Sequence, residues 1–305
     1  MFPVFLYNGF IYLIKTKEVP VMRTEQEMYQ LILDTAQSDP RVRLVALNGS
    51  RANPQAPRDA FQDFDVVYFV TDMAPFLADP GWIDVFGERV ILQTPEDGVL
   101  FPPSLGGAYT YLMLFADGNR IDLMLRTLDM LDGYLQEDTQ TVILLDKDGR
   151  CPPLPPPSDR CHWVKRPSQA EFWACCNEFW WLSPYVLKGI CRGEILYAAE
   201  HLHALHGELV RMLSWQVGCQ TSFSVSTGKC GKYLEQYLPP ETWQALLAAC
   251  RCDSYPACRR SLFDLGRLFS QAARAVAAAL GYPYREEEER RVTEYLHRLL
   301  DSPAG

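Results

Sequence analysis

The chain has 305 residues, enough for two domains at roughly 150 residues each. Apolar residues make up 48% and charged residues 22%, a globular balance that excludes a disordered or collagen-like chain. Acidic residues outnumber basic ones 38 to 29, a net charge of −9, which argues against sequence-independent binding to duplex DNA, because phosphate neutralisation needs a broad cationic surface. No apolar run approaches the roughly 18 residues of a membrane span, so no membrane partner is expected. The ten cysteines sit mostly in apolar or helical stretches, as at Cys175-Cys176 and Cys191, which reads as reduced thiols of a cytoplasmic protein. The apolar start, Met1 to Leu13, lacks a basic n-region and a small-residue cleavage site. Residues 1–21 are therefore expected to be an extension before a domain that begins near Met22.

Residues 24–37 carry apolar side chains at helical spacing (Met28, Leu31, Ile32, Ala36), and Thr24 with Glu27 forms a capping-box pattern. Val42 to Leu47 reads as a strand, broken by Asn48-Gly49-Ser50-Arg51 and a polar loop to Gln62. Residues 63–70 form a second strand, rich in aromatic and β-branched residues. Pro75 to Trp82 reads as a turn and Val90–Gln93 as a short strand. Residues 109–115 and 120–126 pair through a turn with the Asp117-Gly118 hairpin signal, and residues 142–146 add a last strand.

The proline-dense stretch 151–158 can continue neither helix nor sheet, so it reads as a semi-rigid linker. After it the periodicity is helical: 168–182, 192–216, 229–238, 241–250, 258–280 and 285–300, with Gly281 and Pro283 as stop signals. The expected fold class is α+β: a mixed sheet domain at 22–150, the linker at 151–158 and an α-helical bundle domain at 159–305.

Asp63 and Asp65 stand at i and i+2 of one strand, so both carboxylates project from the same face. Two unpaired like charges that close repel, and a hard divalent cation such as Mg²⁺ relieves this. Asp122 follows the tight hairpin and can lie beside that strand. Gly49 permits close approach of backbone to a phosphate, Ser50 and free amides can donate to it, and Arg51 adds a cation. Three acids near a Gly-Ser turn make a metal-and-triphosphate site.

This pattern, Gly49-Ser50-Arg51, Asp63-Phe64-Asp65 and Asp122, resembles the nucleotidyltransferase superfamily of the polymerase-β type. Residues 22–28 (MRTEQEM), 47–51 (LNGSR), 61–70 (FQDFDVVYFV) and 119–123 (NRIDL) are similar to the aminoglycoside 6-adenylyltransferases, the streptomycin adenylyltransferase family. The likeness continues at 178–189, 192–198 and 228–238 and covers roughly residues 22–300. It implies a polymerase-β-like first domain and transfer of AMP from ATP to a hydroxyl of a streptomycin-like aminoglycoside, with release of pyrophosphate. By the same resemblance Gly49, Ser50 and Arg51 hold the phosphates, Asp63 and Asp65 bind Mg²⁺, and Asp122 is the general base or a third metal ligand.

In the helical half, Lys229 and Lys232 are either triphosphate ligands or solvated lysines at a helix start. Lys188 is a further nucleotide candidate or a helix C-terminal charge. Glu178, Trp173 and Asn177 offer the carboxylate, aromatic face and amide that a guanidinium-bearing acceptor needs. The chain is expected to act as a monomer. His201, His203 and His206 face apart on a helix, and Cys250, Cys252 and Cys258 lack paired spacing, so neither group reads as a metal site. Residues 285–291 (REEEERR) read as a solvated helix face. The alternatives are transfer to another small-molecule or protein hydroxyl, or a non-catalytic nucleotide-binding regulator.

Overall fold

The computed structural model describes residues 21–301. The expected extension, residues 1–21, lies outside them except for Val21. The chain divides into two compact units, Met1–Cys161 and His162–Gly305.

The first unit is built on a six-stranded mixed sheet. Its strands are β1 (Val42–Leu47), β2 (Phe64–Val70), β3 (Arg89–Gln93), β4 (Tyr109–Phe115), β5 (Arg120–Thr127) and β6 (Val142–Asp146). Their order is β3-β4-β5-β2-β1-β6. β2 and β5 pair in parallel, and the other neighbours are antiparallel. Alternation along the strands divides their side chains between two cores. Phe64, Val66, Tyr68, Ile121 and Leu123 pack with Met28 and Ile32 of the helix α1 (Glu25–Ser38). Tyr68 anchors this contact by donating its hydroxyl to Ile32 O at 2.5 Å. The opposite parity, Leu44, Ala46, Val67, Phe69 and Met124, packs against Leu131 and Tyr134 of α4 (Leu131–Glu137). Asp65 and Asp122 share the parity of this second face. They stand at the starts of their strands, before Val67 and Met124, and are partly exposed.

Two expectations for this unit change. The segment read as a turn near Pro75 is a short helix, α3 (Ala74–Ala78), followed by a 3₁₀ segment, Pro80–Phe86. It buries Phe76, Ile83 and Phe86. The break after β1 is a single helical turn, α2 (Gly49–Ala52). The proline-rich stretch lies within the first unit: Cys151 N–H donates to Asp146 Oδ2 and Ser158 N–H to Thr139 O.

The second unit is helical: α5 (Gln169–Arg192), α6 (Ile195–Gln220), α7 (Pro240–Ala248), α8 (Tyr255–Leu280) and α9 (Glu286–Asp301). Its core centres on Phe172, Phe179, Leu205, Leu209, Leu265 and Phe269, and the Phe179 and Phe269 rings stack at 3.9 Å. α5 does not stop at Leu182. It continues through Pro184 to a left-handed cap at Gly193 (φ 73°), because Val186, Leu187 and Gly189 are buried, with Gly189 close against α6. A Cβ on Gly189 would lie 2.9 Å from Ala198 N. Residues 229–238 form two 3₁₀ turns rather than a helix, Lys229–Gly231 and Leu234–Gln236. Positive φ at Gly228, Cys230 and Gly231 prevents a helix there. Among the described residues no helix is long and apolar enough to cross a membrane.

Candidate active site

The in-register parallel pairing of β2 and β5 sets Asp65 directly opposite Asp122. Side chains opposite one another in a parallel pair lie on the same face. Asp63 precedes β2 by one residue and completes the acidic group. Burial, then the charges of Asp122 and Asp63, pushes the Asp65 carboxyl up to about 6. Burial raises Asp63 as well, against the pull of Arg120. The pressure on Asp65 to shed its charge comes first from its burial and then from the two neighbouring acids.

Gly49 closes over this group. Its φ is +66°, and a Cβ built there would sit 1.9 Å from Asp65 Oδ2, so only glycine lets the backbone pass. Asn48 fixes the approach: its N–H donates to Asp65 O at 2.8 Å, its Nδ2 donates to Thr141 Oγ1, and its Oδ1 accepts from Tyr134 Oη at 2.6 Å. Neither Asn48 nor Tyr134 was singled out in the sequence, since the bonds that give them a role join positions distant along the chain. Ser50 follows Gly49 in the same turn and is partly exposed.

Arg51 does not stand as a free phosphate-binding cation. Its side chain is 7% exposed. Nε donates to Asp63 O at 3.1 Å, one terminal nitrogen donates to Gln62 O at 2.8 Å, and the other pairs with Glu25 at 3.3 Å. The guanidinium lies 3.7 Å from the Phe64 ring centroid. Arg51 thus ties the glycine turn to the start of β2.

The cation that meets the acids is Arg120, to which the sequence reading gave no role. It donates to both Asp122 oxygens, at 2.8 and 2.7 Å, and a third nitrogen lies 3.5 Å from Asp63 Oδ2. The signal was available, because residues two apart on a strand share a face. Asp63, Asp65 and Asp122 supply hard oxygen donors, with one arginine set against three acids.

The other expected residues belong to the second unit. Trp173 is half-buried: its Nε1 donates to Pro283 O at 2.9 Å and Arg285 lies 4.7 Å from its ring centroid. Asn177 donates to Glu288 Oε1 at 2.8 Å. Glu178 is exposed on α5. Asn177 and Lys188 line a cavity of about 980 Å³ between α5 and α9, with Trp181, Tyr185, Tyr284 and Tyr295. The Lys188 ammonium lies 5.2 Å from the Tyr185 ring centroid. Lys229 and Lys232 are exposed on the strained 228–232 turn, which is not the helix start expected of them. Cys175, Cys176 and Cys258 are buried free thiols.

A family model described as streptomycin adenylyltransferase matches residues 22–299. The chain is 44% identical to an aminoglycoside 6-adenylyltransferase of Campylobacter jejuni over 278 residues, 91% of this chain and 96% of that protein. It is 42% identical over 283 residues to the aminoglycoside 6-adenylyltransferase of Bacillus subtilis, 92% of this chain and 99% of the relative. A crystal structure of an aminoglycoside 6-adenyltransferase from Bacillus subtilis is similar at 38% identity and a TM-score of 0.46, covering 92% of this chain and all of that one. With the matched region spanning both units, the chain belongs to the streptomycin adenylyltransferase family and is a nucleotidyltransferase enzyme.

Proposed function

We propose that the enzyme transfers AMP from ATP to a hydroxyl of a streptomycin-like aminoglycoside, the 6-hydroxyl by likeness to its relatives, releasing pyrophosphate and so conferring antibiotic resistance. The observation that carries this reading is the facing pair Asp65 and Asp122, with Asp63 beside them and Gly49 packed on Asp65. A nucleotide-binding regulator would gain nothing from three acids that repel one another.

Asp63 and Asp65 would hold Mg²⁺, with Asp122 available as a third oxygen donor. Bound there, the ion supplies neutralisation of phosphate charge as pyrophosphate leaves. Gly49 brings its backbone close to the phosphates, and the Ser50 hydroxyl can donate to them. The acceptor oxygen forms a bond to the α-phosphorus, and the bond from that phosphorus to the β-phosphate oxygen breaks. The acceptor's proton passes to a carboxylate within reach, and Asp122 is the candidate. Lys188, Lys229 and Lys232 are candidates for the nucleotide's remaining charge. Glu178, exposed, is the candidate for a guanidinium of the acceptor. Positioning supplies most of the acceleration in such a transfer.

Incubation with ATP, Mg²⁺ and streptomycin should add one adenylyl group to the drug, read by mass spectrometry, and Asp65→Asn should add none. An unmodified drug beside tightly bound ATP would overturn the reading in favour of a regulator. Pyrophosphate released only with a different hydroxyl acceptor would move the substrate assignment.

A further inference from the structure

We propose that Arg120 is the resident counter-cation of the acid cluster, and that it must leave Asp122 before the site can be loaded. The inference rests on the metal-and-triphosphate reading above and concerns what the arginine does to it. Arg120 and Asp122 are i and i+2 on β5, so they share a face, and β5 is bounded on that side by Leu112 and Leu114 of β4. The guanidinium engages both Asp122 oxygens in a planar fork and reaches Asp63 with its remaining nitrogen. These are two of the three carboxylates that would bind the cation. While the fork is closed, each Asp122 oxygen has one lone pair committed to the guanidinium, so an arriving metal ion or proton meets a depleted acceptor beside a repelling positive charge.

The fork can open. The Arg120 side chain is 41% exposed, and its contacts are to side-chain carboxylates rather than to backbone. Arg51 is the opposite case, nearly buried and bound to backbone carbonyls. A released guanidinium beside a bound triphosphate has a natural partner, since its planar donors match phosphate oxygens two at a time. The device therefore couples the two ligands. A divalent ion alone must displace Arg120 into water. An ion arriving with ATP gives the arginine a new anion. Binding of either should strengthen binding of the other.

The test titrates Mn²⁺, followed by its free-ion electron paramagnetic resonance signal, into wild type and Arg120→Gln, each with and without α,β-methylene-ATP. Without nucleotide, Arg120→Gln should bind Mn²⁺ about tenfold more tightly, the order expected on removing one partly screened charge beside the ion. The gain in Mn²⁺ affinity that the nucleotide brings to wild type should shrink in the variant. Unchanged or weaker Mn²⁺ binding by folded Arg120→Gln would overturn the proposal. Absence of Mn²⁺ binding by wild type, even with the nucleotide, would instead overturn the metal reading on which it rests. A second measurement needs no variant. The Arg120 Nε–H resonance should be protected from exchange in metal-free wild type and lose that protection when Mg²⁺ and the analogue are added together. Persistent protection in the loaded protein overturns the proposal.

Discussion

Asp65 shows how the site trades stability for chemistry. Its carboxyl is pushed up to about 6 by burial and by Asp122 and Asp63. An acid whose folded-state pKa lies above its unfolded value of about 3.9 costs the folded state stability as pH rises through that interval. At pH 7 the full cost is present. Two units correspond to about 3 kcal/mol, and the residue's partial exposure reduces this to about 1–2 kcal/mol. Asp65→Asn removes the charge with little change in shape. It should therefore raise the melting temperature of the metal-free protein by several degrees while abolishing adenylyl transfer. Differential scanning calorimetry at pH 7 checks the first part. A lower melting temperature would mean that the Asp65 charge is compensated in a way the Arg120 contacts do not provide.

At the scale of elements, the site depends on a junction between one helical turn and one strand. α2 would drift from β2 without the Arg51 bonds to Gln62 O and Asp63 O and its stacking on Phe64. Arg51→Met keeps the aliphatic length and loses every one of those polar contacts. It should cost about 2 kcal/mol of stability, from the carbonyls left unpaired and the lost ring contact. It should also lower kcat while leaving the KM for the aminoglycoside within about twofold. A phosphate-binding arginine would instead raise the KM for ATP, so steady-state kinetics separates the two roles. The strands that carry the acids were legible because they are short, β-branched and separated by strong turn signals. The Asp65–Asp122 pairing rests on a parallel crossover through α3, β3 and β4, which no local pattern specifies. The bonds from Arg51 to the carbonyls of Gln62 and Asp63 were not legible for a related reason, since they join residues more than ten positions apart. The helix expected at 229–238 failed on backbone conformation, because Cys230 takes a positive φ that its residue type disfavours. The continuation of α5 past Pro184 was hidden because burial of Val186 and Leu187 outweighs the missing proline N–H.

At the scale of the whole chain, both units hold carboxylates that arginine partners lower. In the first unit Asp39, Asp117 and Asp148 flank the strands. Asp117 occupies the β4–β5 turn, 8% exposed, and accepts from Arg23 Nε at 2.6 Å and from Asn119 N at 3.1 Å. Burial alone would raise its pKa, but the bonds from Arg23 and Asn119 outweigh burial and hold it well below the usual range. The Arg41 side chain likewise lowers Asp39. Arg43 and then Arg150 hold Asp148 at about 2. In the second unit the lowered carboxylates lie on the surface, as at Glu287, which pairs with Arg290 and Arg291 and sits at about 2 on the solvated face of α9. A carboxyl lowered by folding contributes stability above its unfolded pKa of about 4 and loses it as pH falls toward the folded value. The first unit should accordingly lose stability as pH drops from about 4 to 2. Trp82, the only tryptophan among residues 1–161, sits edge-on to Phe76, Phe86 and Tyr111 and reports on that unit. With fluorinated tryptophan, its resonance should collapse to the unfolded position over that interval in the wild type. Asp117→Asn should be less stable at pH 7 by about 2–3 kcal/mol, the worth of charge-assisted bonds to a buried acceptor, and its stability should fall less steeply between pH 4 and 2. Equal acid slopes for the two proteins would mean that the β4–β5 turn opens before Asp117 takes up its proton, and that the strand bearing Asp122 frays ahead of the sheet.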